Sequence, residues 1–307
     1  MMWQPQSDQP RCRARSGAAV SLTIAFLFVS SCLRGPNTVA IGSKAFTESF
    51  LMSTMAALLL KENGYTILER FGVGSMIARQ ALLTEQIDLY PEYTGTAYTL
   101  YLQQSGRLSG HKMYEAVKSL DRNNGVVWLD RTRVNNTYAL AVRNIDKKKI
   151  GKTLSDLSRY NRIHPGELTF GIDHEFYERP DGFKAMARAY GLTLQPSQVR
   201  TMEIGLSFES IARGQIDVAM VYSTDGKLKK YDLEVLEDDL HFFPVYHACF
   251  TMNEPALSQH PDIPGILKPL SLSLDNATMQ ELNFRVDGLG KPAFVVAQNY
   301  LRRKGFL

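Results

Sequence analysis

The segment QIDLYPEYTGT, residues 86–96, has an echo in QIDVAMVYST at 215–224. In each copy an Asp precedes a Tyr by five positions, Asp88 before Tyr93 and Asp217 before Tyr222, and a hydroxyl residue, Thr94 or Ser223, comes next. The copies stand 129 residues apart, and each closes the same series of elements. In the first half, TVAIGS reads as a strand, ESFLMSTMAALLLKEN as a helix capped by Thr47 and stopped by Gly64, YTILERFGVG as a strand, MIARQALLTE as a helix starting at Ser75, and IDLYPEY as a strand. In the second half, ELTFGID, DGFKAMARAYGL, SQVRTMEI, LSFESIARG and IDVAMVYS repeat that order. Alternating strands and helices require right-handed crossovers, so each half is expected to form a mainly parallel sheet flanked by helices. The chain is thus α/β, and 307 residues suit two such units.

In open α/β sheets ligands bind beyond the carboxyl ends of the strands. Tyr93 and Tyr222 both fall at such ends, so a cleft between two facing units would receive both rings. The alternative is that each Tyr is a half-buried packing residue. The tail, from about residue 245, reads as helical in PDIPGILKPLSLSL, DNATMQELNFRVDG and PAFVVAQNYLRRKG. It comes too late for a third sheet and is expected to return over the first unit. The division expected is 38–140 plus 245–307 for lobe 1 and 141–244 for lobe 2.

The N-terminus follows other rules. RCRAR at 11–15 is basic, and AAVSLTIAFLFV at 18–29 is apolar. Twelve residues suit a signal-peptide core, whereas a membrane-spanning helix needs about 20. The run ends in VSSC, which resembles the lipobox of bacterial lipoproteins, with Cys32 as the lipidated first residue. Residues 1–31 are then a leader and 32–37 a tether. Cys249 is left without a second free thiol, so the domain must be stable from its core alone.

Catalytic patterns are missing: G-x-S-x-G, H-E-x-x-H, C-x-x-C, the P-loop and G-x-G-x-x-G do not occur. The six His show no metal spacing, and no metal or cofactor is expected. A net charge of +4, with DKKK as the densest basic run, is no nucleic-acid footprint. HEFYERPDG holds Glu175 and Glu178, which could do acid–base work or pair at a helix start.

Tyrosine is abundant, with fourteen copies, and Tyr93, Tyr138, Tyr222 and Tyr246 sit at element ends beside small polar residues. Rings converging on a cleft suit a quaternary ammonium. Such a cation has no N–H to donate, but aromatic faces attract it by about 0.5–2 kcal/mol per ring.

Taken in order, IGSKAFTES, ALLTEQIDLYPEYTGT, VNNTYALAVR, HEFYERPDG and YSTDG…LEDD…FFPVY resemble the substrate-binding proteins of osmoprotectant ABC transporters, from about residue 38 to the C-terminus. That resemblance implies a two-lobed periplasmic-binding-protein clamshell that takes glycine betaine, proline betaine, choline or carnitine. It implies an aromatic cage of Tyr93, Tyr138, Tyr222 and Tyr246 with Glu175 near the ammonium. It also implies Lys44, Thr96 and Arg179 on the ligand carboxylate. Arg179 can fork onto a carboxylate and Lys44 adds a point charge, although Arg179 could instead pair with Asp181 or Glu175. Ser49, where many relatives have Gln, and Gly74-Ser75, where many have Gly-Gly-Thr, depart from the pattern and bear on ligand choice. The partners implied are an ABC permease with its ATPase, for a monomeric, lipid-anchored, extracytoplasmic receptor. Two other readings stay open: a secreted enzyme acting on a small anionic substrate, with Glu175 or Glu178 as base, and a binding protein for another cationic, amino-acid-like solute.

Overall fold

A computed structural model describes residues 35–106 and 108–307. The leader, Cys32 and the first half of the tether lie outside these residues. Among those described, no helix is long and apolar enough to cross a membrane.

Among the described residues, ten strands form two five-stranded sheets, in the orders β2-β1-β3-β10-β4 and β7-β6-β8-β5-β9. The first contains β1 (Thr38–Lys44), β2 (Thr66–Val73), β3 (Leu89–Tyr93), β4 (Val126–Asn135) and β10 (His247–Asn253). The second contains β5 (Tyr138–Arg143), β6 (Phe170–Ile172), β7 (Val199–Thr201), β8 (Val218–Tyr222) and β9 (Leu233–Val235). The boundary expected at 140/141 falls inside β5, which lies whole in the second sheet.

The repeated aspartates have the same work in both sheets. Asp88 Oδ2 accepts from Ala40 N at 2.7 Å while Asp88 N donates to Ala40 O. Asp217 Oδ2 accepts from Thr169 N at 2.9 Å while Asp217 N donates to Thr169 O. Each Asp thereby docks the start of its strand on the neighbouring parallel strand, β3 on β1 and β8 on β6. Five residues later both strands end at a tyrosine.

The α/β plan stands, but the sheets are mixed rather than mainly parallel. In the first, β1 pairs in parallel with β2 and β3, whereas β10 is antiparallel to both β3 and β4. In the second, β5 runs antiparallel to β8 and β9. The crossing strands cause this: β4 and β5 carry the chain from one sheet into the other, and β10 brings it back. HACFTMN was hidden as a strand because it is an almost wholly buried run without the alternation of a half-exposed strand.

Helix α1 (Thr47–Glu62) packs on β1 and on the C-terminal helix Ala293–Lys304, and the helix Ile263–Ser273 packs on β4. Thr47 is not its cap. The N-cap position belongs to Phe46, and the Thr47 hydroxyl donates to Asp287 Oδ1 at 2.8 Å. Helix α2 (Ser75–Leu83) follows β2, and the helix Ile204–Ala212 follows β7 in the equivalent place.

Candidate functional site

Four tyrosines meet where β3 and β8 end, β5 begins and the loop before β10 closes. Tyr138 and Tyr222 are register partners on adjacent strands, with ring centroids 5.4 Å apart. Tyr246 stands edge-on to Tyr138 at 5.5 Å and 84°. Tyr93 joins from the first sheet through Phe46, whose ring lies 5.9 Å from Tyr93 and 5.3 Å from Tyr222. These rings, with Lys44, Ser75, Thr96 and Asn136, line a cavity of about 20 Å³. That is room for roughly one water, so a trimethylammonium group enters only if the two sheets part or the rings swing. Burial raises the hydroxyl pKa of all four tyrosines. They therefore stay neutral.

Gly95 fixes the geometry of one wall. A Cβ there would stand 2.6 Å from the Tyr246 ring, so YTGT needs glycine for close approach.

Lys44 and Arg179 are both buried and both already have carboxylate partners. Lys44 Nζ donates to Glu92 Oε1 at 2.5 Å and lies 5.3 Å from the centre of the Tyr93 ring. Glu92 also accepts from the Tyr90 and Tyr101 hydroxyls and from Tyr93 N. Arg179 forks onto Asp181 through Nε and Nη2, both at 2.8 Å, and its guanidinium stacks 5.2 Å from the Tyr138 ring. Its buried Nη1 has no hydrogen-bond partner among the described residues, and Glu175 Oε1 lies 3.6 Å away. Asp181 holds the wall from the other side, accepting from Tyr246 Oη at 2.5 Å and Thr99 Oγ1 at 2.8 Å. Burial works to raise the Asp181 pKa, but the Arg179 charge and these bonds leave it below the usual value. Glu175 is on the short helix His174–Glu178, half-exposed and beside Arg179; neither residue lines the small cavity. Thr96 does line it, and Ser49 instead accepts from Lys44 N at 2.8 Å.

Sequence reasoning missed Glu48. It is 2 % exposed and accepts four hydrogen bonds, from Tyr93 Oη, Asn136 Nδ2, Thr224 Oγ1 and Asn283 Nδ2. These donors come from β3, the crossing between the sheets, the loop after β8, and the tail helix Asn276–Asn283. One carboxylate thus ties both sheets to Tyr93. Burial raises its pKa, and the four donors oppose that. Its position in FTES offered no signal, because the donors lie up to 235 residues away.

Residues 37–303 match the family of substrate-binding domains of ABC-type glycine betaine transport systems. A glycine-betaine-binding protein of Pseudomonas aeruginosa is 36% identical over 295 residues, covering 94% of this chain and 94% of the relative. The carnitine transport binding protein OpuCC of Listeria monocytogenes is 33% identical over 300 residues, covering 94% of this chain and 96% of the relative. A solved glycine betaine/carnitine/choline ABC transporter structure superposes with a TM-score of 0.72 at 30% identity, over 87% of this chain and 99% of that one. With two sheets, crossing strands and a ring-lined cavity between them, the chain belongs to this family of two-lobed substrate-binding domains of ABC-type glycine betaine transporters.

Proposed function

We propose that the protein captures a quaternary-ammonium osmoprotectant, such as glycine betaine, proline betaine, choline or carnitine, between its lobes and delivers it to an ABC permease. The observation that carries this is the meeting of Tyr93, Tyr138, Tyr222 and Tyr246 around one cavity. Ordinary acceptors cannot satisfy a cation without N–H groups, whereas ring faces can. Relatives named for glycine betaine and for carnitine support the same ligand class. Arg179 is the carboxylate anchor, with Nη1 the donor left over for it, and Lys44 and Thr96 complete that end. Glu175 balances Arg179 rather than acting as a base. The protein binds without catalysing, as a monomer held outside the cytoplasm by lipid on Cys32. Ligand contacts to both lobes favour the closed state in proportion to the difference in affinity between open and closed forms.

Calorimetric titration with glycine betaine, proline betaine, choline, carnitine and free amino acids tests this reading. Saturable heat with one or more quaternary ammonium solutes, and none with the amino acids, is the expected result. Silence with every quaternary ammonium, or turnover of any of them, would reject it.

A further inference from the structure

Phe46, Asn136 and Tyr222 each line both the ring-lined cavity and a neighbouring cavity of about 310 Å³. The other three tyrosines are backed or tied by protein. Tyr138 stacks on Phe176 at 4.6 Å and 15°, with the Arg179 guanidinium 5.2 Å from its ring. Tyr93 donates its hydroxyl to the buried Glu48, and Tyr246 donates to Asp181 while its ring lies against Gly95. Among the three shared residues, Asn136 is pinned through its amide by Glu48 and Thr224 N, and Tyr222 stands on β8 in register with Tyr138. Phe46 differs from both. It is half-buried, sits on the short link between β1 and α1, and has no polar side-chain atom to anchor it. Its ring is tilted by 39° to Tyr93 and by 35° to Tyr222, at centroid distances of 5.9 and 5.3 Å, so it closes the gap between a ring of one sheet and a ring of the other.

We propose that Phe46 is a fifth wall of the cation cage and the residue that limits the size of the ammonium head. The inference rests on the quaternary-ammonium reading of the cage and adds to it a specificity residue without a hydroxyl. A phenyl ring attracts a cation through its face alone. Empty volume lies beyond Phe46, so shortening it joins the small cavity to the larger one. Fit in an apolar pocket turns on single methylenes, so that change admits a wider head.

Two variants and three ligands decide it by calorimetry, direct or by displacement of glycine betaine. The ligands are glycine betaine, 3,3-dimethylbutanoate, which has carbon in place of the ammonium nitrogen, and N,N,N-triethylglycine, whose head is wider. Phe46→Leu keeps apolar bulk and loses the ring face. Its preference for glycine betaine over 3,3-dimethylbutanoate should fall by about three-fold or more from the parent's, whereas a merely structural role would weaken both ligands alike. Phe46→Ala opens the wall, and N,N,N-triethylglycine should gain on glycine betaine by about five-fold or more relative to the parent. Phe46→Val takes its place if the alanine variant does not fold. An unchanged charge preference in the leucine variant, or an unchanged size preference in the shortened one, overturns the inference and leaves the four-tyrosine cage standing. A parent protein that binds glycine betaine no tighter than 3,3-dimethylbutanoate overturns the cage reading and the inference together.

Discussion

The Tyr93 hydroxyl donates to Glu48 Oε1 at 2.8 Å, and the same carboxylate accepts from Thr224 beyond β8 through its other oxygen at 2.7 Å. A cage wall from one lobe and a loop from the other are held by one buried acid. Glu48→Gln replaces an acceptor oxygen with an amide that must face two donors. The expected loss is about 1–3 kcal/mol of unfolding free energy, read by urea denaturation, with weaker glycine betaine binding by calorimetry. A variant as stable as the parent would show that the four bonds carry no net weight.

Arg179 predicts a separation of ligands by their anionic end. Arg179→Lys keeps a cation beside Asp181, so the fold is spared the uncompensated buried charge that alanine would leave. It loses the planar fork and the leftover Nη1 donor. Glycine betaine should bind about 1.5–3 kcal/mol more weakly, and choline, without a carboxylate, should change far less. Equal losses would place Arg179 in lobe closure rather than at the ligand.

Gly95→Ala tests the fit of one wall. Its Cβ would meet the Tyr246 ring at 2.6 Å, and the buried turn Thr94–Thr96 there packs against β10. Overpacking of this kind costs about 1–3 kcal/mol. The melting temperature should drop and betaine affinity with it, since Tyr246 must move to make room. Unchanged affinity in a destabilised variant would remove Tyr246 from the cage.

Asp225 gives a pH dependence of known sign. Its folded-state pKa, about 7, lies above its ordinary value because burial disfavours the charged form. Between those values the folded protein keeps a proton that the unfolded chain has released. Stability therefore falls as pH rises through that window and the full cost is present above about 7. Asp225→Asn removes the titration, so the variant should gain on the parent by about 2–4 kcal/mol between pH 4 and 8. Thermal melts of both proteins across that range check it; a constant gap would contradict the raised pKa.

The duplicated Asp-to-Tyr spacing was legible because it is local: an aspartate docks a strand, and five residues on a tyrosine reaches the strand end. Two α/β units followed from it. Strand β10 was not legible, since a buried run in a helical tail carries no period-two signal. The cage tyrosines could be chosen from their positions and the resemblance, and the structure brings all four to one cavity. The partners of Lys44 and Arg179 were hidden to different degrees. Asp181 is two residues from Arg179 and was foreseen as an alternative; Glu92 meets Lys44 only through the β1–β3 pairing. Glu48 and Phe46 were passed over because their roles arise where distant segments converge.

The cage reading depends on positive charge rather than shape, and one pair of ligands isolates that difference. Glycine betaine and 3,3-dimethylbutanoate share outline and carboxylate, but carbon replaces the nitrogen in the second. Calorimetric titration of the same protein with each compares them directly. With four rings at about 0.5–2 kcal/mol each, glycine betaine should bind at least about 30-fold tighter than its uncharged-headed counterpart. Equal affinity for the two would mean that the tyrosines form an apolar pocket and that cation recognition is not what this site does.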